Sequence, residues 1–355
     1  MTHVWLRAEQ RPNEKRFALT PSGAKALKDN GFRVTVEQSS QRAIPIDGYK
    51  EAGCEIAAEH SWPTAPADAI ILGLKELPDD ASPITHKHIM FGHAYKGQFS
   101  GKKLLQRFKA GGGCLYDLEY LVDDKGRQVA APAFSYWAGY AGAALTLKAW
   151  AAQQKDGGQC GPIGVYMDKA GLLKEIAEEL NAVAKQRPKA IVVGALGKAG
   201  SGACDLLQEM ECPTTKWDMA ETAKGGPFPE LLQHDLFLNC IFARPGTPVL
   251  VPKAALSDPQ RRLTAIGDVS CDPDSEYNPI PVYNRATTWA DPVVRVGEKP
   301  VLDVMAIDHL PTMLPVLACE DFGRDFLPIL LTVNDLNGPV WTRALQHFHT
   351  HTKDL

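Results

Sequence analysis

Short apolar runs alternate with helical patterns along the first 130 residues. Five of these runs predict strands, at 3–7, 33–37, 69–74, 88–93 and 114–119. Residues 22–30 predict a helix that follows Pro21, with Ser22 as its N-cap and Gly31 as its stop. Strands that alternate with helices indicate a parallel sheet.

The rest of the chain continues this alternation. Residues 133–154 carry Ala and aromatic residues at helical spacing and predict a long connecting helix, and residues 168–186 predict an amphipathic helix. Apolar strands at 214–218, 235–241, 264–269 and 301–307 extend a doubly wound sheet. Residues 313–355 predict helices that either cap the second half of the chain or return to the first half.

Length, charge and cysteine usage narrow the function classes. A chain of 355 residues exceeds what one hydrophobic core usually holds, so we expect two domains. The net charge is −4 with both signs mixed, and the absence of a basic block argues against nucleic-acid binding. An uncharged apolar run of about 18 residues is missing, which argues against a membrane span. We expect no signal peptide, and eight scattered cysteines without a C-x-x-C motif favour reduced thiols in a cytoplasmic protein.

A glycine-rich turn after the strand that begins at Ala190 is the most informative motif. Gly194, Gly197 and Gly200 follow a G-x-x-G-x-x-G spacing and lead into a predicted helix. Glycines let the backbone approach a pyrophosphate, and the helix N-terminus offers N–H groups to it. Asp218 ends the next predicted strand, 24 residues after Gly194, where a carboxylate accepts hydrogen bonds from ribose hydroxyls and repels a 2′-phosphate. The pattern predicts an NAD site rather than an NADP site.

Ionisable residues follow two predicted strands of the first half. Lys75 and Glu76 end one strand, and His93 ends the next, shortly before Lys96 and Gln98. Active sites of open α/β sheets lie at the carboxyl ends of strands, and a lysine near other cations has a lowered pKa and can act as a base. The residues therefore suggest a catalytic site. The alternatives are that Lys75 and Glu76 lie on an ordinary surface loop and that His93 is a hydrogen-bonded histidine at a strand end.

Histidine clusters suggest metal binding only weakly. His86 and His88 have ligand-like spacing without a third ligand nearby, and the 347–351 stretch resembles a charged tail helix. We therefore predict no metal site.

Many strings along the chain together resemble the NAD-dependent, lysine-forming saccharopine dehydrogenases, and more distantly alanine dehydrogenase and the soluble domain of transhydrogenase. The matching strings lie at 6–9, 16–21, 73–76, 93–96, 115–119, 126–127, 194–202, 216–218, 225–228, 239–241, 268–270, 278–281 and 307–311. The resemblance covers nearly the whole chain. It implies an α/β fold of two Rossmann-like domains, each a mostly parallel sheet flanked by helices, with a cleft between them. The substrate domain would span 1–131 plus 312–355, and the dinucleotide-binding domain 132–311.

The resemblance also implies an activity. Saccharopine would lose a hydride from its secondary amine to NAD, and hydrolysis of the imine would give lysine and 2-oxoglutarate. Lys75 and His93 would be the acid–base pair, with Glu76 and Glu119 tuning it. The implied substrate contacts are Arg16, Gln98, Ser270, Cys271 and Asp272. The implied cofactor contacts are Arg127, Gly197, Lys198, Asp218, Thr222, Phe242, Val269, Ile307, Asp308, His309 and Leu310. We expect the small-molecule substrates as partners, and a monomer.

Three departures from the family pattern bear on the substrate. An arginine that would clamp a carboxylate is Gln128 here, an aromatic residue is Pro132, and the cysteine of the glycine turn is Ala199. The identity of the oxo acid therefore stays open. An opine-type or alanine-dehydrogenase-like enzyme is one alternative, and a catalytically silent NAD(H)-binding sensor is another, although a sensor would need no acid–base pair.

Overall fold

The computed structural model describes residues 1–95, 99–130, 132–155 and 157–355. Its strands are β1 His3–Leu6, β2 Arg33–Glu37, β3 Glu55–Ala57, β4 Ile70–Leu72, β5 Lys87–Met90, β6 Cys114–Asp117, β7 Ala190–Val193, β8 Thr214–Trp217, β9 Leu236–Asn239, β10 Ala265–Asp268, β11 Val294–Glu298 and β12 Val301–Met305. Its α-helices are α1 Pro21–Asp29, α2 Asp47–Glu51, α3 Phe99–Gly111, α4 Ala133–Gln154, α5 Lys169–Val183, α6 Lys198–Glu209, α7 Met219–Thr222, α8 Pro229–Leu232, α9 Pro315–Leu330 and α10 Pro339–Thr352.

The chain divides into two compact units. Unit 1 contains Met1–Phe134 and Pro315–Leu355, and unit 2 contains Ser135–Leu314. The last two helices thus return to the unit that the N-terminal half builds. In the described part of the chain, no helix combines the length and the apolar character needed to cross a bilayer.

Unit 1 is built on a six-stranded sheet in the order β3-β2-β1-β4-β5-β6, and all its strand pairs are parallel. Central strands are buried on both faces, as expected when helices cover both sides of a parallel sheet. The chain moves outward from β1 to β3 and then resumes at β4 on the other side of β1. The carboxyl ends of β1 and β4 therefore flank the switch point, where ligands bind in such sheets.

The C-terminal helix α10 completes the core of unit 1. The ring of Trp341 meets that of Tyr116 on β6 edge to face at 5.7 Å, and Phe348 meets Phe108 of α3 at 5.8 Å. All four side chains are buried. Contacts between residues more than 200 positions apart in sequence thus close this unit.

Unit 2 is built on a second six-stranded sheet in the order β11-β12-β10-β9-β7-β8. Five strands are parallel, and β11 pairs with β12 antiparallel at the edge. Ile191, Phe237, Ile266 and Val304, one from each of four neighbouring strands, belong to one buried cluster. The switch point of this sheet lies between β7 and β9.

Several predicted boundaries were wrong. Helix α1 begins at Pro21, and its cap is Thr20 rather than Ser22, because the Thr20 hydroxyl accepts the N–H of Gly23 at 3.0 Å. The predicted helix at 168–186 ends at Val183 and uses Asp168 as its N-cap. Two short edge strands, β3 and β11, were not predicted.

The strands that precede the candidate catalytic residues are shorter than predicted. Strand β4 ends at Leu72, β5 ends at Met90, and β6 ends at Asp117, which leads into a 3₁₀ turn at Leu118–Tyr120. The ionisable side chains of the candidate site therefore stand on loops just beyond the strands.

Candidate active site and nucleotide crevice

Lys75 and His93 lie side by side at the carboxyl edge of the unit 1 sheet. Lys75 follows β4 and His93 follows the neighbouring strand β5. The Lys75 Nζ atom is 3.5 Å from the His93 Nε2 atom. This distance brings together two groups that can each hold or release a proton near neutral pH.

The Lys75 ammonium is poorly solvated. The residue is 9% exposed. Burial lowers its pKa, and the positive charge of Arg16 lowers it further, while the carboxylates of Glu76 and Glu14 oppose the shift. A lysine with a lowered pKa has a larger neutral fraction and is a better base at neutral pH.

His93 is held in an uncommon backbone conformation. Its φ is +47°, in the left-handed region. The His93 Nδ1 atom is 3.6 Å from the Glu119 carboxylate, and its ring stacks on Phe91 at 6.3 Å. Lys75, His93 and Glu119 therefore form a row of three ionisable side chains, which follow the neighbouring strands β4, β5 and β6.

Arg16 contributes a second buried charge to unit 1. It forms a two-pronged ion pair with Glu14, with N–O distances of 2.8 and 2.7 Å, and its guanidinium lies 4.7 Å from the centre of the Phe134 ring. Burial alone would raise the pKa of Glu14, but the charge and hydrogen bonds of Arg16 outweigh this and lower it to about 2. Both charges of the pair are thus present across the physiological range.

Two further predicted residues of unit 1, Glu76 and Gln128, are exposed. Glu76 pairs with Arg11 at 3.6 Å. Gln128 donates from its side-chain amide to the Glu119 carbonyl at 2.9 Å. Gln98 lies outside the described residues.

Arg127 is an exposed member of the same loop. It is paired with Asp123 at 2.7 Å, and its side chain is 72% exposed. The backbone N–H and the guanidinium of Arg127 lower the pKa of Asp123 to about 2.

The glycine turn of unit 2 has the close approaches that its sequence predicts. Gly194 has a φ of +87°, and a Cβ there would lie 2.8 Å from the Cys240 carbonyl at the end of β9. A Cβ on Gly200 would lie 2.0 Å from the Gly194 carbonyl. Helix α6 can therefore start directly against β7, beside the switch point.

The start of α6 is suited to an anion. Its N-cap is Gly197, which makes no side-chain capping bond, and Lys198 is the first helical residue. Backbone N–H groups at the first turn, with the positive end of the helix dipole, favour a phosphate there. These features fit a pyrophosphate-binding turn.

Asp218 connects the glycine turn to the end of β8. One carboxylate oxygen accepts the N–H of Leu196 at 3.0 Å and the other accepts the N–H of Met219 at 2.8 Å. The hydroxyl of Thr222 donates to the Asp218 carbonyl at 3.0 Å. The carboxylate also accepts the backbone N–H of Glu221 in a capping box. Because two carboxylate oxygens offer about four lone pairs, Asp218 retains the capacity to accept a ribose hydroxyl.

The other predicted residues of unit 2 follow β9, β10 and β12. Phe242 is 78% exposed, and Asp272 and Asp308 are also exposed. The N–H of Val269 donates to Asn239 on β9 at 3.0 Å.

The β10 and β12 loops are held by short polar contacts. The Ser270 hydroxyl donates to the Ile241 carbonyl, and the Cys271 thiol donates to the Ala306 carbonyl at 3.0 Å. Cys271 has a φ of +49°.

After β12 the predicted residues are largely buried. Ile307, His309 and Leu310 are buried. His309 is held between the Asp308 carboxylate at 2.6 Å and the indole N–H of Trp289. The imidazole therefore has a fixed orientation.

Sequence reasoning did not single out four buried carboxylates of unit 1: Glu9, Glu14, Glu37 and Asp117. Glu9 and Asp117 lie within matching strings, but their partners are up to 66 residues away in sequence. The sequence did show acidic residues next to apolar strands. Burying a carboxylate without a hydrogen-bond partner costs free energy, so such residues indicate a buried partner.

His86 and His88, whose spacing resembles that of metal ligands, do not belong to a metal site in the described part of the chain. His86 contacts the Ala65 carbonyl at 3.0 Å, and His88 is fully buried between Trp62 and Phe108. Within the ranges that the structure describes, no three His, Cys, Asp or Glu side chains form a group that could hold a metal ion. All eight cysteines are free.

Comparison with known proteins identifies the fold and the family of the chain. Residues 5–141 match the family model "Alanine dehydrogenase/PNT, N-terminal domain". In fold, the chain is similar to a solved L-alanine dehydrogenase, with a TM-score of 0.69 at 16% identity and 99% coverage of both chains.

Two curated relatives are much more similar in sequence. Saccharopine dehydrogenase [NAD(+), L-lysine-forming] of Schizosaccharomyces pombe is 44% identical over 366 residues, covering 99% of each chain. The protein of the same name from Candida albicans is 45% identical over 372 residues, covering 99% of this chain and 97% of the relative. With this similarity over its whole length, the chain belongs to the family of NAD(+)-dependent, L-lysine-forming saccharopine dehydrogenases.

Proposed function

We propose that this protein catalyses the NAD-dependent oxidative deamination of saccharopine to L-lysine and 2-oxoglutarate, a step of lysine biosynthesis. The observation that carries the proposal is 44–45% identity to the two curated relatives over the full length of the chain. NAD, when bound, accepts the hydride from the carbon that bears the secondary amine. Water then adds to the resulting imine carbon, and the C–N bond breaks to release lysine and the oxo acid.

We assign the proton transfers to Lys75 and His93. The amine loses a proton as its C–H bond is oxidised, the attacking water loses one, and the departing amine gains one. A buried lysine with a lowered pKa suits the acceptor role, and its 3.5 Å approach to His93 lets the pair pass a proton. Glu119 would stabilise the protonated imidazole, and Glu76 would balance the local positive charge.

We assign substrate binding to the positions that match the family's substrate contacts. Arg16 would bind a substrate carboxylate through its Nη1 atom, since its Nε and Nη2 atoms already donate to Glu14. Gln98, Gln128, Ser270, Cys271 and Asp272 are the further proposed substrate contacts. Gln128 supplies a neutral donor where the family pattern has a cation, which supports a weaker hold on the second carboxylate of 2-oxoglutarate.

We assign NAD binding to the glycine turn and the loops around it. The start of α6 at Gly197 and Lys198 would hold the pyrophosphate, and Asp218 and Thr222 would bind the adenosine ribose. Further proposed contacts are Arg127, Phe242, Val269, Ile307, Asp308, His309 and Leu310. We further propose that the protein is a monomer. We also propose a cytoplasmic location, which agrees with eight free cysteines.

NADH oxidation followed by absorbance tests the proposed function. The protein is mixed with NADH and 2-oxoglutarate plus lysine, ornithine, alanine or glutamate. We expect rapid oxidation with lysine only. Oxidation with another amino acid would favour an opine-type or alanine-dehydrogenase-like activity. NADH binding without oxidation in any mixture would favour a silent sensor.

The oxo acid is tested in the same assay. Lysine and NADH are held constant while 2-oxoglutarate, oxaloacetate and pyruvate are compared. A clear preference for 2-oxoglutarate supports saccharopine as the product, whereas equal use of pyruvate would show a relaxed acid pocket.

A further inference from the structure

A buried carboxylate holds the backbone on which Lys75 stands. Glu9 lies just beyond β1 and is 5% exposed. Its two carboxylate oxygens accept the N–H groups of Leu74 at 2.7 Å and Lys75 at 2.9 Å. Leu74 and Lys75 lie beyond the last residue of β4, where the Leu74 carbonyl still accepts the N–H of Phe91 at 3.0 Å. The two bonds from Glu9 hold the N–H groups of this segment.

Arg7 holds the same segment from the other side. Its guanidinium donates to the Lys75 carbonyl and lies 3.4 Å from the Glu9 carboxylate. Gly73 leaves the space for it, since a Cβ there would lie 2.4 Å from the Arg7 Nε atom. Both backbone polar groups of Lys75 are therefore bound by buried, charged side chains.

A second buried carboxylate performs the same task for His93. Asp117 is the last residue of β6 and is 1% exposed. One of its oxygens accepts the N–H of Gly92 at 3.1 Å, and the other accepts the N–H of Glu119 at 2.9 Å. Gly92 immediately precedes His93, so one side chain sets the backbone on both sides of the contact between His93 and Glu119.

We propose that Glu9 and Asp117 are positioning residues for the acid–base pair, Glu9 setting Lys75 and Asp117 setting His93 relative to Glu119. The proposal rests on the proposed function, in which Lys75 and His93 move the protons. Burying a carboxylate is costly unless hydrogen bonds compensate it. In both cases the compensating bonds come from backbone N–H groups of the loops that carry the catalytic side chains.

The variants Glu9→Gln and Asp117→Asn test this role. Each keeps the shape of the side chain but replaces one acceptor oxygen with an N–H₂ donor, which cannot accept a backbone N–H. We expect kcat to fall roughly 10- to 100-fold, since a displacement of about 1 Å costs a rate factor of that order. The dissociation constant for NADH should stay within twofold, because the backbone groups that Glu9 and Asp117 hold belong to residues that are not assigned to NAD binding. The pH optimum of kcat should shift, which a purely structural loss would not cause.

Glu37 offers a matched control. It is a fully buried carboxylate at the end of β2 and accepts the backbone N–H groups of Ala8 at 2.8 Å and His60 at 3.0 Å. It holds neither Lys75 nor His93. Glu37→Gln should therefore lower thermal stability while kcat stays within about threefold. The proposal is overturned if the two test variants keep kcat within threefold, or if Glu37→Gln loses as much as they do.

A titration of the His93 ring by NMR separates this proposal from the proposed function. The resonance is assigned by its loss in His93→Gln. In Asp117→Asn the midpoint should fall, because Glu119 loses a backbone hydrogen bond and its carboxylate, 3.6 Å from the His93 Nδ1 atom, is no longer held beside the imidazolium. The midpoint should not move in Glu37→Gln. If Asp117→Asn does not fold, Gly92→Ala tests the same contact, since its Cβ would lie 3.0 Å from the Asp117 Oδ2 atom that accepts the Gly92 N–H.

An unchanged midpoint in the folded variant would overturn the positioning role of Asp117, whatever reaction the protein performs. Absence of turnover by the unmodified protein with lysine and 2-oxoglutarate would instead contradict the proposed function, and the titration would still decide the positioning role.

Discussion

Removal of the Glu14 carboxylate is expected to expose how much unit 1 depends on its buried ion pair. Glu14 is fully buried and binds Arg16, which is 5% exposed, through two side-chain contacts and one backbone N–H at 3.0 Å. Glu14→Gln keeps the size of the side chain but leaves the buried guanidinium without its counter-charge. Breaking one partner of a buried pair typically costs about 3–5 kcal/mol.

The pKa of Glu14 gives an independent magnitude. It falls from an ordinary value of 4.5 to about 2. At about 1.4 kcal/mol for each pH unit, this shift corresponds to roughly 3 kcal/mol of stability at neutral pH. Because the folded-state pKa is lowered, this stability is present above pH 4.5 and is lost as the pH falls toward 2.

Urea unfolding, followed by tryptophan fluorescence, measures this effect at pH 7 and again between pH 4.5 and 3. We expect Glu14→Gln to lower the free energy of unfolding by about 3 kcal/mol at pH 7 and by progressively less as the pH falls. Asp29→Asn is the control, since the Lys25–Asp29 pair is solvent-exposed and such pairs contribute at most about 1 kcal/mol. Equal, small losses in both variants at pH 7 would refute the reasoning.

Three further predictions concern the proposed site. We expect the unmodified protein to bind NAD at least roughly tenfold more tightly than NADP, a difference of about 1.4 kcal/mol, and Asp218→Ala to reduce this ratio of affinities. Equal affinities in the unmodified protein would count against the assignment of Asp218. Lys75→Met combined with His93→Gln should reduce kcat about 10²- to 10⁴-fold while NADH still binds, and near-normal turnover would remove both residues from the mechanism. Gln128→Arg should lower the KM for 2-oxoglutarate several-fold, because a charged hydrogen bond contributes about 1.5–3 kcal/mol against about 1 kcal/mol for a neutral one. An unchanged KM would show that Gln128 does not bind the substrate.

Local patterns predicted the parts of the fold that depend on local chemistry. Helix α4 has the predicted bounds, and the glycine turn, α6 and the acid after β8 follow one another as the spacing indicates. Apolar strands buried on both faces are easily identified because their run of side chains is continuous. Strand ends were less predictable, since apolar residues such as Leu74 and Phe91 continue past the last paired residue.

The pattern of apolar and polar residues along the chain did not predict contacts between residues far apart in sequence. Strand β3 has three partly exposed residues, and β11 pairs antiparallel at an edge, so neither has a strong apolar signature. The position of Lys75 and His93 at strand ends predicted that they act in catalysis. The role of the carboxylates that hold their backbone was not predicted. Glu9 meets Lys75 because β1 and β4 are neighbours in the sheet, and a local pattern does not reveal a contact between residues 66 positions apart.

The most direct test of the central claim is the stoichiometry of the forward reaction. The protein is incubated with saccharopine and NAD, NADH is followed by absorbance, and lysine and 2-oxoglutarate are quantified by mass spectrometry. The account predicts that NADH, lysine and 2-oxoglutarate form in equal amounts, and that Lys75→Met with His93→Gln forms almost none of them. A protein that binds NADH but forms no NADH from saccharopine and NAD, or that releases products other than lysine and 2-oxoglutarate, would contradict it.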